Sequence, residues 1–288
     1  MLTDSVREGY NPDVDVAPIE ELLTCSTAEK PMLKYDEHGS GQPVLLIHGF
    51  PLCRQMWRPQ VTVLADAGFR VICPDLPGFG ESPPQEGQVS MSTYADAVIG
   101  LLDDLGIQKA VVGGMSMGGY VLLNLVDRFP DRLQGAMFLM TRAAADDAAG
   151  KEKRTLLAAE VGGGNRLIVP DAFAQVLFAP ETPQKHPRLV AEVRQWMEST
   201  SSAGTVGGLL AMRDRDDSVA KLADVKLPAL VVGADKDIAV PLEHSRVLAE
   251  GLPNAELKII PGAGHMANLE QPELFNEALV EFLQRFSS

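Results

Sequence analysis

A chain of 288 residues, 45% hydrophobic and 22% charged, carries enough apolar material for a large core and suits one domain with an insertion. Its 39 acidic against 25 basic side chains give a formal charge of −14, which leaves no basic stripe for phosphates and excludes nucleic acid as a partner. No apolar run reaches the length of a bilayer span, so no membrane partner is expected.

Residues 1–28 are acidic and weakly patterned, and read as an N-terminal arm that is extended or loosely docked. Their polar start lacks the basic and apolar regions of a secretory signal. The three cysteines (Cys25, Cys53 and Cys73) lack metal-type or C-x-x-C spacing and read as reduced thiols of a cytoplasmic protein. Pro31 to Asp36 reads as a first strand, turned by Gly39-Ser40-Gly41 into a second at 44–48. Further strands are expected at 70–73, 110–114, 135–140, 228–233 and 256–260, and helices at 91–105, 118–128, 243–250 and 272–285. In the last helix Leu274, Ala278, Leu279 and Phe282 share one face. This alternation predicts an α/β fold with a mostly parallel central sheet and helices on both faces.

The alternation breaks between 142 and 222. There Ala, Gly and polar residues, punctuated by Gly162-Gly163-Gly164 and by Pro170, Pro180, Pro183 and Pro187, predict helices at 151–161, 171–178, 187–199 and 203–212 and no strand. A helical block inserted between strands usually lies over the C-terminal edge of the sheet, where sites in such folds form. The segment 142–222 is therefore read as a helical lid on a core made of 29–141 and 223–288.

The most informative stretch is Gly114-Met115-Ser116-Met117-Gly118, a G-x-S-x-G sequence with a β-branched strand before it and an apolar helix after it. A strand that reverses directly into a helix strains the residue at the turn, and flanking glycines avoid collisions that a Cβ would make. The serine is thrust clear of the sheet, with the free N–H groups of a helix N-terminus behind it. Serine needs a base, usually a histidine oriented by a carboxylate. Of five histidines, His265 sits in Pro261-Gly262-Ala263-Gly264-His265, a loop leaving the last strand that its glycines let bend back towards Ser116. His38, His186 and His244 read as turn or solvated residues.

His48 ends a strand and opens His48-Gly49-Phe50-Pro51; its side chain reads as a structural hydrogen-bonding group. Gly49 frees the backbone to turn the Phe50 N–H towards the site, where it and the Met117 N–H would form an oxyanion hole. Phe50, Met140, Trp196 and Met266, with Phe173 and Phe178 beside them, are candidates for an apolar substrate pocket. For the carboxylate two residues compete. Asp237 lies four positions before Pro241, while Asp235 lies nearer the strand end, where it would cap the turn. Asp237 is favoured. The order Ser116, Asp237, His265, each just past a strand, is neither that of chymotrypsin nor that of subtilisin.

These motifs, with Pro74-Asp75-Leu76-Pro77-Gly78-Phe79-Gly80-Glu81-Ser82, make the chain resemble the α/β-hydrolase superfamily from about Lys34 to the C-terminus. Within it the chain is similar to the branch holding 3-oxoadipate enol-lactonases, small-ester esterases and cofactor-free perhydrolases. The resemblance implies an α/β-hydrolase fold with a serine esterase or lactonase activity and no cofactor or metal. It supports Asp237 through the Asp-x-x-x-Pro register, although one extra residue between Gly233 and that aspartate departs from the family pattern and keeps Asp235 in play. It implies a turn-fixing role for Asp75. Carbon–carbon bond hydrolases and aminopeptidases share such a triad, and some signal-binding members of the fold retain one without turnover. Ser116 at the nucleophile position argues against the aspartate-nucleophile class.

Overall fold

Val44-Leu45-Leu46-Ile47 is apolar at every position because both faces of its strand are covered. Val44 and Leu46 pack on one side, and Leu45 and Ile47 on the other. Burying each such side chain contributes roughly 1.5–3 kcal/mol. The computed structural model describes residues 33–287, so the arm at 1–28, with Cys25, lies outside the described residues.

Seven strands form one sheet: β1 (Tyr35–His38), β2 (Gln42–Ile47), β3 (Phe69–Pro74), β4 (Ala110–Met115), β5 (Leu133–Leu139), β6 (Ala229–Ala234) and β7 (Ala255–Ile260). Their order is β1-β3-β2-β4-β5-β6-β7. β1 runs antiparallel to β3, and every other pairing is parallel. The mostly parallel sheet expected from the alternation is thus present. The first strand spans Tyr35–His38, and Lys34 O accepts the Asp75 N–H at 2.8 Å just before it; the start expected at Pro31 lies outside the described residues.

On one face α2 (Met91–Asp104) and α3 (Met117–Arg128) bring Tyr94, Val98, Leu122 and Leu125 against Leu45, Val112 and Val231. Ser90 starts α2 with a reciprocal capping box, its hydroxyl accepting from the Thr93 N–H at 3.1 Å. On the other face α1 (Arg58–Asp66) and α11 (Pro272–Leu283) bring Leu64, Phe275, Leu279 and Phe282 against Leu46, Val111 and Val232. Helix α1 escapes the sequence periodicity because Gln60, on its buried face, is polar. Its amide donates to Asn268 O at 3.0 Å and Asn276 Oδ1 at 2.9 Å instead of packing as a hydrocarbon. Helix α9 (Glu243–Gly251) lies between β6 and β7.

Between β5 and β6 the described chain is helical: α4 (Ala148–Gly162), α5 (Ile168–Ala174), α6 (Thr182–Lys185), α7 (Pro187–Ser199) and α8 (Ser202–Arg213). α5 starts before the expected 171 because Pro170 is accommodated in its first turn, where a missing N–H costs nothing. This insert rests on loops that leave the carboxyl ends of β2, β3 and β7. Thr200 Oγ1 donates to Pro51 O at 2.9 Å, Ser201 Oγ donates to Gly78 O at 3.1 Å, and the Met266 N–H donates to Leu177 O at 3.0 Å. No helix among the described residues is long and apolar enough to cross a membrane.

Candidate active site

Ser116 stands between β4 and α3 with φ 53° and ψ −113°, a left-handed conformation that costs a non-glycine residue of order 1–3 kcal/mol. The turn persists because its surroundings leave no alternative. A Cβ on Gly114 would lie 2.2 Å from Gly118 O, and one on Gly118 would lie 2.4 Å from Ile47 O. The Ser116 N–H donates to Leu139 O at 2.9 Å, and its carbonyl accepts from the Thr141 hydroxyl at 2.7 Å. From Ala110 to Leu123 only Ser116 is not buried. The strain therefore holds one polar side chain out of an otherwise closed core.

His265 follows β7 and is buried, 4% exposed. Its Nδ1 lies 2.7 Å from Asp237 Oδ2. The other carboxylate oxygen of Asp237 accepts the N–H groups of Ala239 at 2.9 Å and Val240 at 2.8 Å. With Nδ1–H given to a buried carboxylate, the ring is oriented and the lone pair lies on Nε2. Asp235 is exposed and does different work: its Oδ1 accepts the Gly262 N–H at 2.7 Å, fastening the start of the loop that carries His265.

The remaining candidates separate on their partners. His48 is fully buried; its Nδ1 donates to Gly49 O at 2.8 Å and its Nε2 accepts from the Leu76 N–H at 3.0 Å, so it ties the end of β2 to the loop after β3. Burial holds its pKa below the usual imidazole range. Asp75 is also fully buried and accepts from the backbone N–H groups of Arg54 at 2.7 Å and Glu81 at 2.9 Å and from the Arg54 guanidinium. Cys53 is buried and its thiol is pushed up to about 11 by that burial, which removes the thiolate a nucleophile needs. His38 and His186 are exposed, and His244 is half-buried with its pKa lowered by burial and by Arg142.

Gly49 approaches the serine closely, since a Cβ there would lie 3.4 Å from Ser116 Cβ. Phe50 is buried edge-on against Phe79 at 6.0 Å and against Phe173 of α5 at 5.4 Å. Met140, Trp196 and Met266 are buried together with Phe178 in the other apolar cluster, and Phe173 packs against both clusters and joins them. A groove of about 300 Å³ between the 77–89 loop and α8, lined by Pro77, Tyr94, Gly204 and Gly207, includes none of Ser116, Asp237 and His265. Among the described residues no group of three or more His, Cys, Asp or Glu is arranged to hold a metal ion.

Two polar residues at the site lie outside the sequence motifs. Thr141 braces the serine turn, and a Cβ on Gly119 would lie 2.3 Å from its Oγ1. Glu270 closes α10 (Ala267–Glu270) five positions after His265 and accepts the Gly264 N–H at 2.8 Å. Desolvation raises its pKa. A polar residue just past each strand tip was the available signal for Thr141; no local signal marks Glu270.

The family pattern for the alpha/beta hydrolase fold matches residues 42–272. Among solved structures, a thermophilic esterase from Thermogutta terrifontis with malate bound superposes with a TM-score of 0.86 at 37% identity, over 89% of this chain and 94% of that one. The 3-oxoadipate enol-lactonase 2 of Acinetobacter baylyi is 27% identical over 272 residues, 94% of this chain and 100% of the relative. A non-heme chloroperoxidase of Kitasatospora aureofaciens is 30% identical over 275 residues, 91% of this chain and 99% of the relative. The chain belongs to the α/β-hydrolase family.

Proposed function

We propose that this α/β-hydrolase cleaves a small carboxylic ester or lactone by acyl transfer to Ser116, without a cofactor. Ser116 Oγ attacks the carbonyl carbon while His265 Nε2 takes the hydroxyl proton. The bond to the leaving oxygen breaks as His265 returns that proton to it. Water then attacks the acyl-enzyme with His265 again as base, releasing the carboxylic acid and restoring Ser116. Asp237 keeps His265 in the working tautomer and stabilises the imidazolium between the two proton transfers.

The observation that carries this reading is the 2.7 Å contact between His265 Nδ1 and Asp237 Oδ2, with the strained, half-buried Ser116 between otherwise buried neighbours. For the oxyanion we assign the N–H groups of Phe50 and Met117. The close approach of Gly49 to Ser116 supports the first, and the position of Met117 at the start of α3 supports the second. The insert at 142–222 acts in this reading as a lid, with Phe50, Met140, Trp196 and Met266 limiting the acyl or alcohol group. The esterase and enol-lactonase relatives support that substrate class.

Ser116→Ala should abolish hydrolysis of short p-nitrophenyl esters and labelling by a fluorophosphonate; retained activity would remove Ser116 from the mechanism. Asp237→Asn should lower kcat by about four orders of magnitude, as loss of the correct tautomer does in a serine triad. Asp235→Asn should cost no more than about tenfold, the scale of a disturbed loop hydrogen bond. A larger loss at Asp235 would overturn the assignment. An ester and lactone panel varying acyl and alcohol size tests the substrate class, and cleavage of only carbon–carbon or aminoacyl substrates would defeat the ester reading while leaving the triad.

A further inference from the structure

The loop that carries His265 is held from two sides. From the core, Asp235 accepts the Gly262 N–H at 2.7 Å, and the Lys236 N–H donates to Ala263 O at 3.0 Å. From the insert, Leu177 O accepts the Met266 N–H at 3.0 Å. The two backbones meet without side chains between them: a Cβ on Gly264 would lie 2.4 Å from Ala179 N.

Glu270 joins these two backbones. Its Oε2 accepts the Gly264 N–H at 2.8 Å, while its Oε1 accepts the Ala179 N–H at 2.8 Å and the Thr182 hydroxyl at 2.5 Å. One carboxylate thus satisfies donors from the base's loop and from the insert segment between α5 and α7. Glu270 makes no ion pair among the described residues, so three neutral donors carry its charge. A residue needed only for packing would not place an unpaired carboxylate here, because its desolvation opposes folding.

We propose that Glu270 is a positioning residue: it couples docking of the insert segment Leu177–Thr182 to the placement of His265, so that the base is aligned only while that segment is seated. The proposal rests on His265 being the general base. It makes the insert part of the catalytic machinery, in addition to any part it plays in enclosing substrate. Removing the carboxylate frees Gly264 and Ala179 to move apart, and the imidazole between Gly264 and Met266 moves with the loop. A base displaced by a fraction of an ångström slows proton transfer without changing how substrate is held.

The test uses the full-length protein with Glu270→Gln and Thr182→Val. For each, kcat and KM for p-nitrophenyl acetate are measured together with the rate of fluorophosphonate labelling of Ser116. Glu270→Gln keeps the shape but turns an N–H₂ towards one group of donors. Its kcat and labelling rate should fall together by about 10- to 100-fold, with KM changed less than threefold. Thr182→Val removes one donor from the insert side only and should lower kcat by about threefold. A Glu270→Gln enzyme with unchanged kcat and labelling would overturn the proposal, and so would a loss confined to KM. If Glu270→Gln does not fold, an unchanged kcat in Thr182→Val overturns it alone. A wild type that fluorophosphonate does not label at Ser116 defeats the hydrolase reading and this role with it, whereas a labelled wild type with an unaffected Glu270→Gln defeats this role alone.

Discussion

Two carboxylates in opposite electrostatic settings hold the helical insert: one joins its two ends to each other, and the other joins its rim to the loop that carries His265. At its base, Asp146 is buried among the guanidinium groups of Arg142, Arg154 and Arg215, the last at 3.0 Å. Arg215 also donates to the carbonyls of Met212 and Ala144 and lies over the Tyr120 ring at 4.1 Å, so the chain leaving β5 and the chain leaving α8 are pinned together on α3. At the rim, Glu270 holds the insert through neutral donors alone. Burial penalises both charges. Arg215 and Arg154 overcome the penalty at Asp146 and hold its carboxyl well below the usual range, while no cation among the described residues does so at Glu270, whose pKa burial raises. The base is built to stay closed. The rim also buries Leu177, Phe178 and Ala179, so Glu270 aligns a packed segment with the loop of the proposed base and does not supply its whole attachment.

The largest effect expected from this contrast is on stability at the base. Asp146→Ala leaves three guanidiniums without their anion, one of them on Arg215, which is only 4% exposed in its side chain. Removing one partner of such a buried group costs about 3–5 kcal/mol. Urea unfolding should show that loss, and kcat of the molecules still folded should stay within about threefold of wild type, a small change in activation free energy. Glu270→Gln should do the reverse, with the larger loss in kcat. If Asp146→Ala lowers kcat more than Glu270→Gln does, the division into a structural base and a catalytic rim is wrong.

How far these features can be read from sequence follows from the distance over which each is determined. The sheet and the serine turn are local: Val44 to Ile47 show burial on two faces by composition alone, and the steric need for Gly114 and Gly118 arises within a few residues and one neighbouring strand. The family resemblance covers the same motifs that the fold places at the strand tips. Whether Asp235 or Asp237 faces His265 depends on how a loop folds back after β6, and hydrophobic periodicity says nothing about that. Helix α1 hides because Gln60 satisfies its amide with partners more than 200 positions away. Glu270 is equally hidden: its donors on Ala179 and Thr182 are 91 and 88 residues distant, and the stretch between α5 and α7 that supplies them has no pattern of its own.

The smallest expected effect is a difference in how the two anchors respond to pH, and it separates them most cleanly. Asp146 has a folded pKa below its unfolded value of 3.8, so its contribution is fully present above that pH and is lost as pH falls through the folded value. Glu270 has a folded pKa raised above 4.5, so its contribution is fully present below that pH and is lost as pH rises through the folded value. Urea midpoints measured between pH 5 and pH 8 should therefore differ by a constant amount between wild type and Asp146→Asn. Over the same range, wild type should lose stability relative to Glu270→Gln as pH rises, and the difference should level off once the carboxyl is ionised. The loss arises because ionised Glu270 is desolvated beside Asp237 with no cation to offset it. A flat difference for Glu270→Gln would mean that the rim carboxylate is as well compensated as the base, and the insert would then be fixed at both ends.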